Sequence, residues 1–135
     1  MIITLFRKAG EPTETIPPYL CQQARERLKI WQRLPVRQMR EELRQDIEQL
    51  NRFEILEVDP FGLVLAMMVI DSDYNPHYGS YLYPRYSFST ENGLLSKGYQ
   101  WLKQISKALN YDGFLITRQI DDFNFIHKFK RLPNK

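Results

Sequence analysis

The stretch that most restricts the fold of this chain runs from Ser80 to Ile120. A run rich in Tyr, Phe and Ser, "SYLYPRYSFS", breaks at Glu91-Asn92-Gly93 and passes into a helical pattern, which "NYDG" closes before a second apolar run, "FLITRQI". Within the helical part, Leu95, Gly98, Leu102, Ile105 and Leu109 recur three and four residues apart, the spacing of one helix face. A strand, a helix and a strand in succession form a crossover unit, so the two strands lie parallel in one sheet. Glu91 or Asn92 is the expected helix cap, and Gly98 on the buried stripe predicts close approach to the sheet. Pro84 cannot donate to a sheet ladder, so its strand is expected to carry a bulge or a splayed edge.

The flanking sequence supplies antiparallel partners. "FEILEV" and "LVLAMMVID" surround the turn "DPFG" and read as a hairpin, with "SDYNPHYG" as a longer loop leading into the Tyr-rich strand. After "DDF", the run "NFIHKFKRL" alternates Phe125, His127 and Phe129, the pattern of a last strand. Ile2 to Arg7 reads as an opening strand. Tyr19 to Leu34 has a helical stripe of Leu20, Ala24, Leu28 and Trp31; beyond Pro35, a second helix over 36–51 has Val36, Met39, Leu43, Ile47 and Leu50. The order β-α-α-β-β-β-α-β-β predicts an α+β chain with a mixed sheet of about six strands. One domain over 1–135 is expected, with the opening strand and two helices in 1–60 and the sheet core, third helix and C-terminal hairpin in 61–135.

Charge and chemistry-bearing residues narrow the function classes. The formal net charge is +3, but residues 1–60 carry ten basic and ten acidic side chains and residues 61–135 carry nine and six. A nucleic-acid footprint needs its cations on one face, which dispersed residues do not establish. The charge-dense side of the second helix reads as a solvated face. Cys21 is the single cysteine, which leaves no intrachain disulfide and no Cys/His zinc spacing. The opening "MIITLFRKAG" is too quickly charged for a secretory leader, and the longest apolar run, Gly62 to Ile70, is of strand length, so no membrane span is expected. Asp71, Asp73 and His77 match no established metal loop, and a Gly-x-Ser-x-Gly elbow is absent. Tyr81, Tyr83 and Tyr86 with Arg85 read as core on one face and interface on the other, with base stacking the alternative.

The segment Gly79 to Leu132, "GSYLYPRYSFSTENGLLSKGYQWLKQISKALNYDGFLITRQIDDFNFIHKFKRL", resembles the C-terminal half of the GNAT-like virion proteins of short-tailed bacteriophages, and the element order resembles the GNAT acyltransferase fold. The resemblance implies a third strand splayed by a bulge from its parallel neighbour. In active members, acetyl-CoA enters that splay and its pyrophosphate rests on a glycine-rich turn at a helix start. Carried over here, Phe88, Ser89, Gly93, Leu94 and Leu95 are the cofactor-binding candidates. His127 is the one candidate for a catalytic proton carrier, because "ITRQIDDFNFIHKF" offers Asn124 but no Tyr. The turn itself has Gly93 as its single glycine, no Arg before it at the spacing the family uses, and the negative Glu91. The expectation is therefore a virion component, made in the host cytoplasm, that contacts other virion proteins in many copies and uses no cofactor. An acetyl-CoA-dependent N-acetyltransferase is the alternative, and a small basic nucleic-acid-binding protein the third.

Overall fold

The computed structural model describes residues 1–91 and 93–133. Six strands and three helices follow the expected order: β1 (Ile2–Arg7), α1 (Pro18–Arg27), α2 (Val36–Glu48), β2 (Arg52–Val58), β3 (Val64–Asn75), β4 (Gly79–Ser89), α3 (Ser96–Ala108), β5 (Gly113–Gln119) and β6 (Phe125–Arg131). They form one mixed sheet in which the spatial order of the strands is their sequence order. Every neighbouring pair is antiparallel except β4 and β5, which are parallel as a strand-helix-strand crossover requires.

Helices cover both faces of the sheet. Leu20, Cys21 and Ala24 of α1 and Met39, Leu43 and Ile47 of α2 pack with Leu56, Met67, Val69 and Phe88 on one side. On the other, Leu102 of α3 packs with Ile55, Met68, Ile70, Leu82 and Phe114. A strand covered on both faces buries consecutive residues, which is why β3 reads as a continuous apolar run through Ile70. Each fully buried Leu, Ile or Met contributes roughly 1.5–3 kcal/mol relative to exposure. Gly98 permits the close approach of α3: a Cβ there would sit 3.1 Å from Met68 Cε.

Several boundaries differ from the sequence reading, each for a tertiary reason. α1 stops at Arg27, and the chain continues through Leu28 in an extended conformation into a 3-10 turn at Lys29–Trp31. That exit lets Trp31 reach Phe88 edge-on at 5.3 Å and Tyr86 at 6.0 Å. The loop expected from Ser72 is half strand, because β3 runs on to Asn75 and pairs with the start of β4. Asp71 and Asp73 are tolerated there because the hydroxyls of their cross-strand partners, Tyr83 and Tyr81, donate to them. α3 begins at Ser96 after Leu95, so Glu91 does not cap it. The alternative cap, Asn92, lies outside the described residues. Leu109, placed on the buried stripe by its spacing, is 49% exposed because the helix ends at Ala108.

Candidate functional site

The seam between β4 and β5 opens into a cleft. Only Tyr81 with Gly113 and Leu82 with Phe114 are paired across it. At Pro84 the register of β3 on β4 shifts: Val69 pairs with Tyr86 and Ile70 with Pro84, leaving Arg85 as the extra residue of a bulge. Beyond that bulge β4 stays with β3 while β5 stays with β6, and the sheet opens. Asp112 clips the closed end of the opening. Its amide donates to Ser80 O at 2.8 Å, its carboxylate accepts from Ser80 N at 2.8 Å, and its carbonyl accepts from Leu132 N at 3.0 Å.

The cleft has a volume of about 660 Å³. Trp31 and Leu28 wall one side, Tyr86, Phe88 and Ser89 of β4 another, and Thr117 of β5 with Phe125 and His127 of β6 a third. Tyr99 of α3 reaches across the floor: its hydroxyl donates to Thr117 O at 3.1 Å and accepts from Thr117 N at 3.3 Å. In an unbroken sheet a neighbouring strand would satisfy the β5 edge; here a side chain from the crossover helix does so at Thr117. Burial pushes the Tyr99 hydroxyl above its ordinary pKa, so it stays a protonated donor. Lys29 Nζ lies 3.4 Å from Asp122 Oδ2, linking the β5–β6 turn to the 3-10 turn that follows α1.

A charged network borders the cleft on the α2 side. Arg85, turned outward by the bulge, donates from Nε and Nη2 to both carboxylate oxygens of Asp46, at 2.8 and 3.0 Å. Its Nη1 donates to Tyr83 OH at 3.2 Å and to Asp71 Oδ2 at 3.4 Å. The hydrogen bonds from Arg85, then that from Tyr86, hold the Asp46 carboxyl below the usual range. Burial first, then the hydrogen bond to the Asp46 carboxylate and its charge, push the Tyr86 hydroxyl up to about 12. Asp46 and Tyr86 also border a smaller hollow of about 300 Å³ between α2 and Trp31. The two acidic partners and the bidentate geometry fix this arginine in place.

The candidates named from sequence divide. Phe88, Ser89, Leu95 and His127 line the one cleft. Gly93 is in the exposed turn before α3, with φ +88°, and Leu94 lies beside Met68 and Gly98 on another surface. His127 is exposed, with Nδ1 2.9 Å from Thr117 Oγ1. Asn124 is held in the β5–β6 turn by the Asp121 carboxylate. Cys21 is buried against Ile16 O, and that burial pushes its thiol up to about 11, which suits packing rather than nucleophilic chemistry. Among the described residues, no three His, Cys, Asp or Glu side chains group as metal ligands. Nor does any helix there have the length and apolarity to cross a membrane.

Sequence reasoning missed Tyr99 and Asp46. Tyr99 is one position off the buried stripe and carried no motif, and Asp46 lay within a charge-dense helix face. The available signal was Pro84: a bulge leaves backbone groups unpaired on the far side of the seam, and some donor must answer them. No family model matches the chain, and no curated protein is significantly similar to it.

Proposed function

We propose that this protein is a non-catalytic component that works through protein–protein contacts on an acyltransferase-like scaffold. Its resemblance to GNAT-like phage proteins supports a role in the bacteriophage virion, in several copies, after synthesis in the host cytoplasm. The observation that carries this reading is the β5–β6 end of the sheet. Ile120, Phe123, Phe125 and Ile126 are 61%, 65%, 40% and 42% exposed there. Ile120 and Phe123 near the turn, with Phe125 and Ile126 on the two faces of the start of β6, expose large apolar side chains around one end of the sheet, which supports a contact role there.

Three features weigh against acetyl-CoA. Gly93 and Leu94 lie away from the cleft, Glu91 adds negative charge to the turn where a pyrophosphate would rest, and Tyr99 already holds both Thr117 backbone groups on β5. Titration calorimetry is expected to give no saturable heat with acetyl-CoA; a stoichiometric micromolar interaction would overturn this. Mass spectrometry of purified phage particles is expected to find the protein at a fixed ratio to the capsid or tail proteins, and its absence would refute the virion assignment.

An acetyl-CoA-dependent N-acetyltransferase is the second reading. It is favoured by the splayed β4–β5 seam and by the convergence of Phe88, Ser89, Leu95 and His127 on one cleft. The same calorimetric titration separates the two.

A further inference from the structure

We propose that the face where α3 meets β5 and β6 binds the phosphate backbone of duplex DNA, with Lys103, Lys107, Arg118, Lys128 and Lys130 as the contacting cations. This surface is distinct from the cleft, and the inference does not depend on how the cleft is read.

The chain is electrically divided at the start of α3. Residues 1–92 carry 11 basic and 13 acidic side chains, whereas residues 93–135 carry eight and three. The three acids are engaged elsewhere. Asp112 clips β4 to β5, Asp121 accepts from Asn124 in the turn, and Asp122 pairs with Lys29. None of them neutralises the surface formed by the other side of the hairpin.

Register places the cations together. Ile126 pairs with Arg118, Lys128 with Ile116 and Lys130 with Phe114. Phe114 and Ile116 pack in the core beneath α3, so alternation puts Arg118, Lys128 and Lys130 on that same face. On the helix, Tyr99, Lys103 and Lys107 form one row at four-residue spacing. Tyr99 reaches Thr117 on β5, while Trp101, on the other flank of α3, packs against Phe53 of β2. Lys103 and Lys107 therefore lie on the β5 side. All five cations are exposed, and among the described residues none takes part in an ion pair.

The result is two cationic rows, one stepping by about 6 Å along the helix and one by about 6.7 Å along the strand. Exposed lysines facing water on a surface without acids suit a dense polyanion, from which they release counterions. The register favours duplex over single strands, because Phe125 and Phe129 alternate onto the opposite face and the one β5 ring beside the lysines, Phe114, is buried in the core and cannot stack a base.

The test is fluorescence anisotropy of the full chain with a labelled 30-base-pair duplex of arbitrary sequence, at 50 and 200 mM salt. Engagement of four to five phosphates predicts a fall in affinity of roughly 150- to 500-fold between the two. Lys128→Gln with Lys130→Gln is expected to cut that fall to about 10- to 50-fold. A double change of equal charge away from this face, Lys8→Gln with Arg37→Gln, is expected to leave it unaltered. Absent or salt-independent binding by the wild-type chain overturns the proposal, as does equal loss from both doubles. Tighter binding to a 30-nucleotide poly-dT strand or to polyglutamate than to the duplex also overturns it, in favour of a single strand or an acidic protein.

Discussion

Arg85 and Asp46 show how much one residue's environment changes its meaning. In sequence Arg85 is a cation in a Tyr-rich strand and Asp46 one of several acids on a helix; in the fold they are a bidentate pair beside the cleft. A carboxylate whose pKa is lower folded than unfolded adds stability that is complete above the unfolded value, about 4, and is lost as pH falls through the folded one. Urea unfolding of the wild type is therefore expected to lose stability as pH drops below about 4, and Asp46→Asn to remove that part of the acid dependence. At pH 7 the same substitution is expected to cost about 1–2 kcal/mol, the lower part of the range for charged hydrogen bonds because the pair is partly solvated. Arg52 and Glu54 make the point more sharply. Nothing in "NRFEILEV" marks them as interior, yet both side chains are fully buried. Arg52 donates to Glu54, to the carbonyls of Lys8 and Leu50, and to that of Glu11, fastening the loop that follows β1. A charge can be buried when enough acceptors surround it, and here two of them, the carbonyls of Lys8 and Glu11, come from more than 40 residues away.

Among the elements, α3 and the β5–β6 hairpin are the best-announced parts of the chain, and their glycines separate two kinds of close approach. At Gly98 an added Cβ meets only the flexible end of Met68, at 3.1 Å. Gly98→Ala also gains about 1 kcal/mol of helix propensity, so its stability is expected to fall within about 1 kcal/mol of the wild type. At Gly113 the same atom would lie 2.3 Å from Phe129 Cζ and 2.5 Å from the Lys130 carbonyl, which is backbone and cannot swing away. Gly113→Ala is expected to lose roughly 2–3 kcal/mol in urea unfolding. Elements whose pattern is local, such as the stripe of α2, matched their sequence reading at Met39, Leu43 and Ile47. Those whose limits depend on partners did not. α1 ends early so that Trp31 can reach β4, and β3 runs long because tyrosines answer its aspartates.

For the whole molecule, the weak line is the seam between β4 and β5. Two residue pairs join them, whereas β2 is paired with β3 along most of its length. Opening the α3–β5–β6 unit therefore disrupts less than opening the centre of the sheet. Native-state hydrogen exchange is expected to show β5 amides bonded to β6 exchanging roughly 10- to 100-fold faster than β2 amides bonded to β3. Equal protection would mean that the two parts open as one. The sequence alone determined the element order, the parallel pair, the bulge near Pro84 and the mixed α+β class, because periodicity, turn chemistry and proline's missing donor act within a few residues. Tertiary structure decided the rest: which four of the candidate residues share a cleft, that Tyr99 closes its β5 edge, and that five cations share one face while Asp112, Asp121 and Asp122 are engaged elsewhere. Those outcomes depend on strand register and on which side of the sheet a helix lands, and long-range pairing alone sets both.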